Sequence, residues 1–331
     1  MLQLLRINNP AIVLFSVFVS LLLHALVMFQ PFDASFVLNY SEPLSFPIFS
    51  WLQKISSSSF FYTLCVLGCL VQIIQAILIN SLLNEFKIIS KRNYLGGLVF
   101  VLCSSFDPQW LLFSPQQIST LLLIILLYFL FVLSRQDRAY TQLFDVGFLA
   151  MLSVLFYFPS LFFLLLLFPV LYSLRSFNLK EFLRIAVGLF TPLFVVVGVA
   201  FLNDTLPYLW HWIINSENQH YLSYSYFTVA NTILLVLNGF WLLTGSVLFV
   251  VLPFSLSMQT RKMTGAIGIL TVLTIVSFFL PTAYSDAYWL LLSVSTAIFI
   301  TIVLTETKWD LIANIIFALL IGSAIVPIIL L

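Results

Sequence analysis

Apolar runs follow one another along nearly the whole chain, at approximately 11–29, 59–82, 94–105, 118–134, 142–157, 160–174, 182–202, 229–252, 264–281, 287–304 and 309–329. A helix of about 20 apolar residues crosses the hydrocarbon core of a bilayer. Inside that core every backbone polar group must be bonded within the protein, which favours helices. The pattern predicts an all-α, polytopic transmembrane helix bundle of about 11 spans. Composition agrees: 62% of the 331 residues are hydrophobic and 8% are charged, against about 25% charged in soluble domains. Such a chain has too few polar groups to cover a surface in water. A water-soluble enzyme, a nucleic-acid binder and a disordered chain are thereby excluded. The net charge of +1 gives no case for an acidic partner. No stretch between the runs is long enough for a soluble domain, so 1–331 reads as a single integral membrane domain.

Basic residues concentrate in short cytoplasmic loops. With a cytoplasmic N-terminus and alternating spans, twelve of the 13 basic residues fall inside, from Arg6 through Lys87, Lys91, Arg92, Arg135 and Arg138 to Lys308. Only Lys54 falls outside, and the C-terminus is periplasmic. Arg6 precedes the first run and no small-residue cleavage site follows it, so that run reads as a retained anchor. Cys65, Cys69 and Cys103 all lie in apolar runs and read as small buried residues, with neither a disulfide framework nor a zinc-site spacing.

The outer face carries Asp33, Glu42, Asp107, Asp204, Glu217 and Asp286, with His211 and His220, and His24 near the outer end of the first span. It is also rich in Tyr and Trp, as expected of rings at headgroup level. Two outer segments, 30–58 and 203–227, exceed simple turns. The first includes Ile48-Phe49-Ser50-Trp51-Leu52, suited to lying on the membrane surface. The second includes Pro207-Tyr208-Leu209-Trp210-His211-Trp212, an expected interfacial helix with Asp204 or Thr205 as its cap.

Polarity within the spans is mild. Gln72 and Gln75, the series Asn231, Asn238 and Gly245, and the ladder Gly265, Gly268, Thr271, Thr274 and Ser277 have the spacing of helix–helix seams. Pro169 and Pro192 should kink their helices or mark irregular turns. Asp145, seven residues from Arg138, suits a local ion pair near the cytoplasmic end. There is no H-E-x-x-H, no G-x-S-x-G serving a nucleophile, no Gly-rich phosphate loop and no filter motif. Paired mid-bilayer charges and repeated halves, the usual marks of an ion-coupled transporter, are also missing.

The chemistry on offer is a pair of acids at the outer boundary. Asp33 follows the first span in Gln30-Pro31-Phe32-Asp33, and Asp107 follows the short third run in Ser104-Ser105-Phe106-Asp107-Pro108. A carboxylate there can act as a general base or bind a divalent cation on a lipid-linked diphosphate. The bland alternative is a solvated loop acid or, for Asp107 before proline, a turn former.

Over roughly 1–205 the layout resembles the GT-C superfamily of membrane glycosyltransferases. These have a cytoplasmic N-terminus, a long first outer loop with an acid after the first helix, and a second acidic position in the next outer loop. The resemblance implies a polyprenyl-linked sugar donor, with Asp33 and Asp107 at the catalytic positions; Lys54, the histidines or a divalent cation are the options for meeting the diphosphate charge. Glu42, Lys54, Tyr208, Trp210, His211 and Trp212 are the corresponding candidates for substrate binding. The chain departs from the pattern in having no second acid beside Asp33, no D-x-D at Asp107 and no outer arginine. A closer likeness is to a family of polytopic inner-membrane proteins from Bacteroidota with no assigned activity. It is carried by Leu143-Phe144-Asp145-Val146-Gly147-Phe148, Phe156-Tyr157-Phe158-Pro159-Ser160, Arg175–Leu183 and Gly188-Leu189-Phe190-Thr191-Pro192. It implies the bacterial inner membrane. The expected function is binding or transfer of a lipid-linked saccharide in envelope glycan assembly. The rivals are a non-catalytic subunit of an envelope complex, with other envelope proteins as partners, and a lipid or small-solute transporter.

Overall fold

The computed structural model describes residues 9–29, 43–56, 59–135, 140–174, 179–207, 209, 239–241, 243–247, 258–278, 288–307 and 309–330. Regular structure among them is helical throughout, without a strand. In chain order the helices are α1 (Ala11–Met28), α2 (Ser45–Ile55), α3 (Phe60–Glu85), α4 (Leu95–Cys103), α5 (Pro108–Leu111) and α6 (Pro115–Leu133). There follow α7 (Tyr140–Phe156), α8 (Leu161–Leu174), α9 (Leu179–Leu202), α10 (Met258–Phe278), α11 (Tyr288–Glu306) and α12 (Asp310–Leu330). Four are long and apolar enough to cross a membrane: α1, α3, α6 and, over Lys180–Leu202, α9. Shorter apolar helices accompany them, and the protein is membrane-embedded. The run expected at 229–252 lies mostly outside the described residues.

Local chemistry explains where the helices stop. At the end of α3, Lys87 takes a left-handed conformation (φ 52°), and the N–H of Ile88 bonds the Leu83 carbonyl at 3.1 Å. At the end of α9, Asp204 does the same (φ 54°), with the Thr205 N–H on the Ala200 carbonyl at 2.9 Å. Both are Schellman ends, in which a left-handed residue lets the next N–H reach back to the last turn. Asp204 and Thr205 therefore close the helix before them, and Thr205 also stands at the N-cap position of the turn that starts at Leu206, its carbonyl accepting the Leu209 N–H at 3.4 Å. Neither Pro169 nor Pro192 ends its helix; α8 and α9 run through them.

The centre is α4, whose nine residues are all buried. It packs against α1, α3, α11 and α12. At one end of the bundle, Arg135 donates to the Glu85 carbonyl at 3.0 Å and lies 4.6 Å over the Phe86 ring. The Ser90 N–H donates to the Glu306 carboxylate at 2.9 Å. These contacts gather 85–90, 135 and 306. At the opposite end lies α2, with Ser45 and Phe49 buried, Ile48 and Leu52 half-buried, and Trp51 and Lys54 exposed. The Phe49 ring sits 5.3 Å from that of Phe113.

Candidate functional site

Nine residues of α4 advance only about 14 Å, less than half of a hydrocarbon core. The chain then reverses over 104–114 and returns as α6. The reversal is buried, from Ser104 at 2% exposure through Ser105 and Phe106 at 0% to Gln117 at 1%. A helix end leaves four carbonyls unbonded and a helix start leaves four N–H groups unbonded. Buried away from water, each such group costs free energy comparable to a lost hydrogen bond. Polar side chains from three elements meet that demand.

Within the reversal, the Ser104 and Ser105 hydroxyls donate to the carbonyls of Phe100 and Val101 at 2.9 and 2.6 Å. The Asp107 carboxylate accepts the Gln109 N–H at 2.9 Å, capping α5 with Pro108 as its first residue. From α3, Gln72 donates to the Ser104 hydroxyl at 2.8 Å and accepts from the Ser20 hydroxyl at 2.6 Å. Gln75 donates to the Gln117 carbonyl at 2.8 Å, while the Gln117 amide donates to the Gly68 carbonyl at 3.1 Å. The Phe113 N–H reaches the Leu64 carbonyl at 3.0 Å. From α1, His24 stands between two backbone acceptors. Its Nδ1 is 2.8 Å from the Ser20 carbonyl and its Nε2 is 3.0 Å from the Leu111 carbonyl. A neutral imidazole donates through one nitrogen only, so either tautomer bonds one of the two carbonyls.

The crossing of the reversal over α3 requires a glycine. A Cβ at Gly68 would strike the Leu111 carbonyl oxygen and the Phe113 nitrogen. Beside it, Cys65 and Cys69 are buried free thiols, as is Cys103 on α4, in line with the small-buried-residue reading. A second polar cluster joins α6 to α7. The Ser119 hydroxyl lies 2.8 Å from that of Ser153 and 2.6 Å from that of Ser160. Two groups in the region have no hydrogen-bond partner among the described residues: the Ser114 hydroxyl and the Gln117 side-chain oxygen.

Of the residues singled out in the sequence, Asp107 is in this region and 5% exposed, so it does not stand in an open loop. Lys54 is exposed in the last turn of α2. Asp33, Glu42, Tyr208, Trp210, His211 and Trp212 lie outside the described residues. So do Arg138, Asn231 and Asn238. Among the described residues no three His, Cys, Asp or Glu side chains gather as a metal site.

No family model, curated protein or solved structure matches this chain.

The assignment of function thus rests on the residues themselves. Gln72 and Gln75 were legible as a seam; what the sequence reading missed was their partner stripe on α1. Ser16, Ser20 and His24 recur every four residues, which puts them on one helix face, and all three are buried. That spacing was the available signal. Gly68, two turns along α3 from Gln75, carried no signal of its own.

Proposed function

We propose that the chain is a non-catalytic membrane subunit of an envelope complex, crossing the bacterial inner membrane about 11 times with its N-terminus in the cytoplasm. The observation that carries this reading is the engagement of Asp107. Its carboxylate caps α5 within a buried reversal, and the Ser104, Ser105 and Gln75 side chains beside it donate to backbone carbonyls. A general base needs access to its substrate's proton. The convergence of 85–90, 135 and 306 at one end, with Lys54 near the other, supports the sorting of basic residues behind the topology.

Asp107→Asn is the discriminating variant, because asparagine caps a helix as well as aspartate but carries no charge. The subunit reading expects unchanged protein level and unchanged envelope glycans. Loss of a glycan product with the protein level intact would overturn it.

A second reading has its own observation in favour. The first outer segment holds an amphipathic helix, α2, lying over the segment that carries Asp107, the order of elements that resembles GT-C glycosyltransferases. In that reading the protein binds or transfers a lipid-linked saccharide, with Asp33 as the base or cation-binding acid and Asp107 as its partner. Glu42, Lys54, Tyr208, Trp210, His211 and Trp212 would contact sugar, diphosphate or lipid, and a divalent cation would offset the diphosphate charge. This reading expects Asp33→Asn and Asp107→Asn each to abolish the glycan product.

A further inference from the structure

At the end of the bundle where α3 terminates, a cavity of about 400 Å³ opens between the first turn of α1 and the last two turns of α3. Its polar wall does not belong to the reversal described above. Two groups there are unused hydrogen-bond donors. The Arg92 guanidinium and the Tyr94 hydroxyl line the cavity and make no hydrogen bond or ion pair with the described residues. Asn80 lines it too, but its side-chain amide faces α4, where its oxygen accepts the Gly97 N–H at 2.7 Å. One carboxylate lines the same space, that of Glu85, which receives the Tyr128 hydroxyl at 2.9 and 3.0 Å and keeps further lone-pair sites. Ser81 and Asn84 complete the polar side, and the apolar side, made by Val13 and Ile77, continues into the exposed apolar surface of Leu14 and Ile74.

A cavity of this size holds a ligand of headgroup dimensions. Its donors suit an oxyanion, its single carboxylate suits an ammonium, and its apolar margin suits hydrocarbon. A purely anionic ligand would meet Glu85, and a purely cationic one would meet Arg92. We propose that this cavity holds an aminophospholipid, with the phosphate on Arg92 and Tyr94, the primary amine on Glu85, and the acyl chains along Val13, Ile77 and Ile74. This assignment requires membrane embedding but holds under either functional reading above.

Native mass spectrometry of the detergent-purified full chain tests it, with phosphatidylethanolamine, phosphatidylglycerol and soluble glycerophosphoethanolamine as probes. The expected result is selective retention of phosphatidylethanolamine. Arg92→Ala should weaken it by about tenfold, as loss of a charge-assisted pair does. Glu85→Gln, which still accepts from Tyr128, should erase the preference over phosphatidylglycerol while leaving lipid bound. Circular dichroism of both variants separates loss of the site from loss of fold. Equal retention of both lipids by the unaltered chain, or retention unchanged in well-folded Arg92→Ala, would overturn the proposal. So would displacement of the diacyl lipid by an equal concentration of glycerophosphoethanolamine, which would assign the cavity to a soluble phosphoamine.

Discussion

The reversal between α4 and α6 and the crossing of α7 with α9 both bring backbone against backbone, by different means. In the α7–α9 pair, a Cβ at Gly147 would strike the Ile185 carbonyl and one at Gly188 would strike the Phe144 carbonyl. Both helices are unbroken there, so their backbone groups are already bonded internally, and removing two side chains is enough. The outer face of α9 is then free to meet lipid, with Phe190, Phe194 and Phe201 all well exposed. At the reversal the helix is broken, and a glycine alone does not suffice. Gly68 provides the room, while His24, Gln72, Gln75 and Gln117 provide the bonding. An apolar crossing needs only small residues, whereas a broken helix in an apolar setting also needs polar side chains from its neighbours.

Six substitutions probe that contrast, each read as unfolding free energy in mixed detergent micelles. Gly68→Ala should be the most damaging, at about 3 kcal/mol, because backbone on both sides of the crossing cannot yield cheaply. It should also make Cys65 and Cys69 reactive to maleimide. Gly147→Ala should cost about 2 kcal/mol by the same overpacking and leave those thiols protected; equal thiol exposure in both variants would break the comparison. His24→Leu strands a buried carbonyl and should cost about 2 kcal/mol, whereas its effect would vanish if the imidazole contacts were incidental. Ser20→Ala and Gln72→Leu should show a coupling of about 1 kcal/mol in a double-mutant cycle, within the range for hydrogen bonds between membrane helices. Smallest, and of opposite sign, Lys87→Gly should stabilise by just under 1 kcal/mol through relief of a left-handed non-glycine residue.

Much of the helical framework was legible because a bilayer-length apolar run has few other solutions. The boundaries of α1, α6 and α9 fall within a few residues of their runs, and Gln72 and Gln75 do form a seam. The stretch around Ile48–Leu52 is helical, with Phe49 buried and Trp51 exposed. What the sequence left hidden depends on tertiary contact. Asp107 before proline reads equally as a loop acid or a cap, and only its burial and its bond to the Gln109 N–H separate the two. The ladder at Gly265 and Gly268 has seam spacing, yet no described atom lies within 4 Å of where their Cβ atoms would stand. Spacing establishes that residues share a face; it does not say what that face meets.

The account turns on the reversal being sealed, and thiol accessibility at Ser105 measures that directly. In a background with Cys65, Cys69 and Cys103 replaced by alanine, Ser105→Cys should resist a membrane-impermeant maleimide from either side of the membrane and react once SDS unfolds the protein. Gln53→Cys, exposed on α2, should react at once as the control. Labelling of Ser105→Cys in the folded protein at the rate of the control would contradict a buried reversal and return Asp107 to an open site.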